Sequence, residues 1–189
     1  MRSPRNAHAV LVAREIAKGL TAHICPDSGG CWIDGKAYWD WWQQQPEFPR
    51  PAPATDGPPV AVETDTGSAL ISPRSGRLMR KYRVGRGLDF HIDFDASTGG
   101  FWLDRGEYEA LRARGMHDEL HLICSSEYQS QLRAMETAHA REAIARRTLG
   151  DELYVELHSL VNRVSATNMS GPVLAFLTER LSSQDDTSA

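Results

Sequence analysis

The sequence predicts an α+β protein made of two small β-hairpin modules and a C-terminal helical region of about three helices. Three observations predict this class: a motif that occurs twice at a spacing of 70 residues, a proline-rich stretch between its copies, and a change to helix-forming residues after Ser125. Together they divide the chain into a first module at 1–42, a linker at 43–69, a second module at 70–115, a helical region at 116–183 and a disordered tail at 184–189.

The composition is that of a globular protein without a general affinity for nucleic acid. The 189 residues are 41% hydrophobic and 24% charged, and the formal net charge is -4. Because the chain is not basic overall, any contact with nucleic acid must be local. The chain begins without the apolar run of a signal peptide and contains no stretch of about 18 apolar residues, so we expect a cytoplasmic protein without a membrane span.

The repeated motif is the strongest signal in the sequence. CPDSGGCWID at 25–34 matches DASTGGFWLD at 95–104, and Ser-Pro-Arg occurs before each of them, at 3–5 and at 72–74. In both copies the Ser-Pro-Arg turn precedes a stretch of extended pattern, a Gly-Gly turn, a tryptophan and an aspartate. We therefore expect two copies of one unit, each formed by a turn, a hairpin, a second turn and a helix.

Physical reasons account for the residue types that the two copies share. A Gly-Gly pair permits the positive φ of a tight turn. Trp32 and Trp102 follow on a short strand, where a large ring covers a small core. Asp34 and Asp104 stand where a helix starts, and Asp104-Arg-Gly-Glu107 has the form of a capping box.

This pattern resembles the short bacterial zinc ribbons of the transcription-factor-IIB type. Their signature is Cys-Pro-x-Cys, about twenty residues, and then Cys-x-x-Cys-Gly-Gly-x-Trp-Leu-Asp-x-Gly-Glu-Leu. The matching residues of the second copy are Gly99, Gly100, Trp102, Leu103, Asp104, Gly106 and Glu107. The resemblance implies a bacterial protein with two zinc-ribbon-like modules and leaves the C-terminal third unexplained.

The residues at the four ligand positions of such a ribbon are not zinc ligands here. These positions hold Ser72, Ser75, Asp95 and Thr98 in the second copy and Ser3, Asn6, Cys25 and Ser28 in the first. Serine and threonine hydroxyls stay protonated near neutral pH, so they bind zinc poorly. We therefore predict no metal in the second copy and no cofactor. We also expect the Asp95 carboxylate to hold the turns together by accepting hydrogen bonds from the three hydroxyls and from turn amides.

The first copy leaves one alternative open. Cys25, Cys31, His8 and His23 are residue types that bind metals, so a residual site in the first module is an alternative. The spacing of the two cysteines is unusual for zinc, and Cys31 matches the apolar Phe101, which favours a structural role. A disulfide between Cys25 and Cys31 is disfavoured in a reducing cytoplasm.

A basic segment of the second module is the best candidate contact surface. Six positive charges and no acidic residue lie within thirteen positions. They are Arg74, Arg77, Arg80, Lys81, Arg83 and Arg86. Alternation along a strand predicts Lys81 and Arg83 on one face and Arg80 and Arg86 on the other. Such a hairpin suits nucleic acid or an acidic protein, and the alternative is a solvated hairpin balanced by the acidic remainder of the chain.

Four aromatic residues crowd the helix predicted after Asp34. Tyr38, Trp41 and Trp42 share one face at i, i+3 and i+4, which is typical of a buried face. Trp39 lies outside this face, and an exposed tryptophan suits a protein partner.

The C-terminal third predicts three helices with stripes of leucine and valine at helical spacing. The first begins with a capping box at Ser126, Gly150 interrupts it, and Ser170 starts the last. Stripes of this kind are usually core. Two very small ribbons leave few places to bury them, so a homodimer formed through these helices is the alternative.

Catalysis finds little support in the sequence. His91 and Asp93 alternate on a predicted strand, so both point to the same face, together with Asp89. No nucleophile, phosphate loop or zinc-protease motif accompanies them.

The sequence therefore favours a non-enzymatic interaction or adaptor protein with a protein partner. The alternatives are a nucleic-acid-binding, transcription-related protein that uses the hairpin at 74–86, and an enzyme with a site near His91 and Asp93.

Overall fold

Two three-stranded meanders, one from each copy of the repeat, join into one antiparallel sheet. The strands of the first copy are β1 (Val12–Ala17), β2 (Leu20–Ile24) and β3 (Cys31–Ile33), and those of the second are β4 (Arg80–Gly85), β5 (Leu88–Asp95) and β6 (Gly100–Leu103). Their order in the sheet is β1-β2-β3-β6-β5-β4. The protein is therefore mixed α and β, as the sequence predicts.

The computed structural model describes residues 1–45, 62, 66–167 and 169–185. Most of the linker predicted at 43–69, and residues 186–189 of the predicted tail, lie outside the described residues. The chain divides into two compact units, Met1–Arg133 and Ala134–Ala189.

The two copies meet at β3 and β6 in a register that is symmetric about two tryptophans. Trp32 pairs with Trp102, and Cys31 and Ile33 pair with Leu103 and Phe101 respectively. Exchanging the copies reproduces the strand order, so the sheet has approximate two-fold symmetry. The sequence predicted two modules spaced by a linker, whereas the structure joins them edge to edge. The physical reason is that β3 and β6 each have an open edge, which the other copy covers.

The second glycine of each Gly-Gly pair makes room for the tryptophan of the other copy. A Cβ atom at Gly100 would lie 2.1 Å from Cζ2 of Trp32, and one at Gly30 would lie 2.4 Å from Cζ2 of Trp102. Both tryptophans are fully buried. The first glycine of the second pair, Gly99, has the positive φ of +70° that a tight turn requires. Each pair thus contains one glycine that shapes the turn and one that permits close packing between the copies.

Apolar side chains are buried on both faces of the sheet. On one face the helices α1 (Gly35–Trp42), α2 (Glu107–Ala113) and α3 (Leu120–Ile123) supply residues to the larger core. The other face holds a smaller core around the paired tryptophans, which contains Ala9, Leu11, Cys25, Trp32, Leu70, Met79 and Trp102. Because neighbouring residues of a strand point to opposite faces, Cys31 lies in the larger core while Trp32 lies in the smaller one.

The two aspartates expected at helix starts act differently. Asp34 is the N-cap of α1, and its carboxylate accepts a hydrogen bond from the Lys36 amide at 3.1 Å. At the second position, Oε2 of Glu107 accepts from the Asp104 amide at 2.7 Å, which is half of the expected capping box. The Asp104 carboxylate instead accepts from the Trp102 indole N–H at 3.0 Å, and the N-cap of α2 is Gly106.

The C-terminal region contains the helices α4 (Ser126–Leu149), α5 (Asp151–Ser165) and α6 (Ser170–Asp185). Together with the short α3 they make four helices where the sequence predicted about three. The cap of α4 lies one residue earlier than expected, because the Ser125 hydroxyl accepts from the Tyr128 amide at 3.2 Å. Among the helices described, none combines the length and apolarity needed to cross a bilayer.

Candidate functional site

A buried carboxylate occupies the point where the turns of the second copy meet. Oδ2 of Asp95 accepts hydrogen bonds from the hydroxyls of Ser72 at 2.7 Å and Thr98 at 2.8 Å. Oδ1 accepts from the amide of Ser97 at 2.9 Å and from its hydroxyl at 2.5 Å. The contacts expected for Ser72 and Thr98 are therefore confirmed, and they join two turns that are more than twenty residues apart in the chain.

Hydrogen bonding also controls the ionisation of this carboxyl. Burial alone would raise the pKa of Asp95, but the hydroxyls of Ser97, Ser72, Ser75 and Thr98 lower it well below its usual range. Asp95 is thus held as an anion by neutral donors. No cation is needed to balance this site.

The donor set of this cluster does not fit zinc. The hydroxyls of Ser72 and Thr98 each donate a hydrogen bond to Asp95. Their O–H groups therefore point at the place where a metal ion would need oxygen lone pairs. A single carboxylate is then the only anionic ligand, whereas structural zinc takes four thiolate or imidazole ligands. Within residues 1–45, 62, 66–167 and 169–185, no group of three or more His, Cys, Asp or Glu side chains is placed to hold a metal.

The first copy repeats this arrangement with a thiol in place of the carboxylate. Cys25 is fully buried, and its Sγ accepts from the Ser28 amide at 3.5 Å. Burial would raise the pKa of Cys25, but hydrogen bonds from the hydroxyls of Ser28 and Ser3 lower it. Asn6, whose position matches that of Ser75 in the second copy, donates to Oδ2 of Asp27 at 2.7 Å.

The four residues considered for a residual metal site in the first module are not brought together. Cys25 lies in the smaller core and Cys31 in the larger one, on opposite faces of the sheet. Both thiols are free. Burial raises the pKa of Cys31 far above its usual value, so this thiol stays protonated. His8 is exposed, whereas His23 is partly buried on β2.

Reciprocal ion pairs connect the Ser-Pro-Arg turn of each copy with the helix start of the other. Nη1 of Arg5 lies 3.1 Å from Oδ2 of Asp104, and Nε of Arg74 lies 3.9 Å from Oδ2 of Asp34. The two arginines are equivalent in the repeat, and so are the two aspartates. Arg74, predicted as a contact residue, therefore takes part in joining the two copies.

Most of the basic segment is paired with carboxylates of the protein. Three of its cations lie 2.9 to 3.1 Å from a carboxylate oxygen: Lys81 from Asp93, Arg83 from Asp89 and Arg86 from Glu119. The structure corrects the expectation that Arg86 shares a strand face with Arg80, because Arg86 lies in the β4–β5 turn with a φ of 53°. Arg77 and Arg80 are exposed, and neither forms an ion pair with another described residue.

The strand face proposed for catalysis is occupied by the same ion pairs. Asp89, His91 and Asp93 point away from the larger core, which contains Leu88, Phe90 and Ile92 of the same strand. Asp93 is 2% exposed and lies beside Lys81, while the exposed Asp89 lies beside Arg83. The two carboxylates that would assist His91 in catalysis thus form ion pairs with cations of the neighbouring strand.

An aromatic patch lies on the helical side of the sheet unit. Trp39 is 40% exposed, whereas Tyr38 and Trp41 are buried, as the sequence predicts for their face, and Trp42 of the same face is half-buried. The ring centroid of Trp39 lies 4.7 Å from that of His121 and 5.5 Å from that of Trp42. His121 came from a segment with no aromatic pattern, so sequence reasoning missed it.

Comparisons with known proteins identify no relative. No family model matches the chain, and neither the curated proteins nor the solved structures contain a match. The function must therefore be inferred from the geometry of the described residues alone.

Asp95→Asn is expected to lower the free energy of unfolding by about 3 kcal/mol, because four donors lose a charged acceptor. The folded-state pKa of Asp95 is depressed, so its stabilisation is present above the unfolded pKa of about 3.9 and is lost as the pH falls through the folded value. The difference between the wild type and the variant is thus expected to stay constant down to about pH 5 and to shrink below pH 4. Urea unfolding at several pH values measures it.

The matched control for this variant is Asp89→Asn on the same strand. Asp89 is exposed and holds a surface ion pair, so its loss is expected to cost less than about 1 kcal/mol. Equal effects of the two substitutions would contradict a stabilising role for the Asp95 cluster.

Proposed function

We propose that the chain is a non-enzymatic interaction or adaptor protein of the cytoplasm. Its two zinc-ribbon-like copies act as a metal-free scaffold, and the patch around Trp39 contacts a protein partner. The observation that carries this proposal is the exposure of Trp39, at 40%, in a helix where Tyr38 and Trp41 are buried and Trp42 is half-buried.

The surroundings of Trp39 favour binding because they hold it in place. The Tyr38 hydroxyl lies 2.8 Å from Nδ1 of His121 and donates to the carbonyl oxygen of Asp118, also at 2.8 Å. These contacts link α1 to α3 beneath the exposed ring. A tryptophan that is already ordered loses little conformational entropy on binding, which is typical of residues that dominate protein interfaces.

The ion pairs of the basic segment support a protein partner over nucleic acid. Arg74, Lys81, Arg83 and Arg86 each lie beside a carboxylate, which reduces the positive potential available to phosphates. Arg77 and Arg80 leave too small a basic surface for strong binding to a duplex. The pairing of Asp89 and Asp93 likewise gives no support to the enzymatic alternative.

Trp39→Ala is expected to weaken the partner complex by at least about 30-fold, since loss of a central interface tryptophan costs about 2 kcal/mol or more. Tagged full-length wild type and variant are recovered from the native host after chemical crosslinking, and the captured proteins are compared quantitatively. A protein depleted with the variant is then purified and its affinity for both is measured by calorimetry.

Val12→Ala is the matched control, because Val12 is an apolar residue that is 57% exposed on the edge strand β1. It is expected to leave the affinity unchanged. Two results would overturn the proposal. One is a partner that is lost equally with both variants. The other is a partner whose capture is abolished by nuclease treatment and by substitution of Arg77 and Arg80.

A further inference from the structure

Helix α5 carries an apolar stripe whose N-terminal half is exposed and whose C-terminal half is only half-buried. Leu153, Leu157, Leu160 and Val164 are spaced by four, three and four residues, which places them on one side of the helix. No residue of α5 is buried: Leu153 and Leu157 are 46% and 36% exposed, and Leu160 and Val164 are half-buried. A helix with such a stripe gains most of its stability by covering it against another apolar surface.

The charges beside this stripe indicate what covers it. Glu156 and Arg163 are both exposed and are seven residues apart, so they lie on the same flank of the stripe. Seven residues span roughly 10 Å along the helix axis, which is too far for the two side chains to contact each other. Neither forms an ion pair with another residue in the described part of the chain.

We propose that α5 pairs with α5 of a second copy of this chain in an antiparallel arrangement. When two identical helices pair antiparallel, the same flank of each faces the other, and residues at equal distances from the two-fold axis are opposed. With the axis between His158 and Ser159, Leu157 faces Leu160 and Leu153 faces Val164 of the other copy. On the flank, Glu156 of each copy then lies two residues along from the position opposite Arg163 of the other, within reach of these long side chains, which gives two ion pairs around one apolar seam. The antiparallel arrangement also opposes the two helix dipoles favourably.

A parallel pair of α5 helices offers no such match. In a parallel pair the flank with Glu156 and Arg163 faces the opposite flank of the partner, which holds the uncharged Tyr154 and Val161. The charge pattern therefore selects both the occupant and its direction. This proposal does not depend on the role of Trp39, which lies in the other unit of the chain.

Charge exchange on the full-length chain tests this arrangement directly. The wild type is expected to be a dimer at micromolar concentration in analytical ultracentrifugation. Glu156→Arg alone and Arg163→Glu alone each oppose like charges twice, so each is expected to raise the dissociation constant about tenfold. The double variant that exchanges both residues is expected to restore the wild-type constant.

Two further variants separate the seam from general hydrophobic association. Leu157→Asp places a charge in the seam and is expected to raise the dissociation constant more than about 100-fold. Val155→Asp is the matched control, because Val155 is more exposed, at 57%, but lies on the opposite side of the helix. It is expected to leave the dimer intact. Circular dichroism verifies that every variant keeps its helical content.

Three results would overturn the proposal. They are a monomeric wild type at high micromolar concentration, a dimer that Leu157→Asp does not weaken, and a double charge exchange that fails to restore the dimer. The last result would specifically exclude the antiparallel pairing of Glu156 with Arg163.

Discussion

Gly100→Ala is expected to lower the free energy of unfolding of the sheet unit by about 3 kcal/mol, which is large for the addition of one methyl group. The new Cβ would lie 2.1 Å from Cζ2 and 2.4 Å from Cη2 of Trp32, both far below van der Waals distance. Trp32 is fully buried in the smaller core, so its ring has no free space to move into. Urea unfolding followed by tryptophan fluorescence measures the loss.

The cause of this loss is steric and not conformational, because Gly100 does not have a left-handed φ and alanine is compatible with its backbone. Gly67→Ala is the matched control: its Cβ would meet nothing within 4 Å, and its effect is expected to stay within about 0.5 kcal/mol. Gly30→Ala is expected to resemble Gly100→Ala, because its Cβ would lie 2.4 Å from the Trp102 ring.

A second substitution tests whether the added methyl group clashes with the Trp32 ring. Combining Gly100→Ala with Trp32→Phe removes the atoms that collide, so the combined loss is expected to be smaller than the sum of the two separate losses. Strict additivity, or an effect of Gly100→Ala no larger than that of Gly67→Ala, would contradict the close packing of the two copies.

The features that sequence reasoning predicted are those set by neighbours within one copy. The turn that holds Ser72 precedes the β4–β5 hairpin and the turn that holds Asp95 and Thr98 follows it, so antiparallel pairing of the two strands brings both turns to the same end of the hairpin. The exposure of Trp39 follows in the same way from the helical spacing of Tyr38, Trp41 and Trp42. The pairs of Lys81 with Asp93 and of Arg83 with Asp89 also lie within one hairpin, but they require its register to be known.

The joining of the copies was not predicted, because nothing in one copy shows what covers its third strand. A linker of 27 residues allows two separate modules as readily as one sheet. A signal was nevertheless present in Gly30 and Gly100. Each of these glycines occupies the same place in its copy, two residues before the tryptophan. Only the glycine before it has the positive φ that the turn needs. A second glycine without a conformational reason indicates close approach of another group.

The symmetry of the sheet also explains how the two copies can differ in the residue at the centre of their turns. Reciprocal ion pairs and the two tryptophans connect the copies, so each is stabilised by the other as well as by its own turns. One copy then uses a carboxylate at the centre of its turns and the other a thiol, both surrounded by hydroxyls. Under the proposed relationship to zinc ribbons, packing between the copies replaces part of the folding energy that a metal supplies, which is roughly 10 to 16 kcal/mol in small zinc domains.

Introducing four cysteines into the turns of the second copy is expected to create a zinc site with an apparent binding free energy of roughly 10 kcal/mol. The substitutions are Ser72→Cys, Ser75→Cys, Asp95→Cys and Thr98→Cys. The hydroxyls of Ser72 and Thr98 bond to the Asp95 carboxylate, and the Ser75 amide donates to the Ser72 hydroxyl at 3.1 Å, so the four positions lie around one point, as tetrahedral coordination requires. Elemental analysis and competition with a chromophoric chelator are expected to give one zinc per chain.

The control for this site keeps four introduced cysteines but moves one of them away. Replacing Thr98→Cys by Ser68→Cys leaves three converging thiols and one exposed thiol, and zinc affinity is expected to fall at least about 100-fold. Zinc is also expected to raise the unfolding temperature of the converging variant and not that of the wild type, because binding to the folded state alone stabilises it. A folded converging variant that binds zinc no more tightly than the control would contradict the expectation that these four positions are arranged as the ligands of a zinc ribbon, while leaving the observed hydroxyl cluster as a separate structural feature.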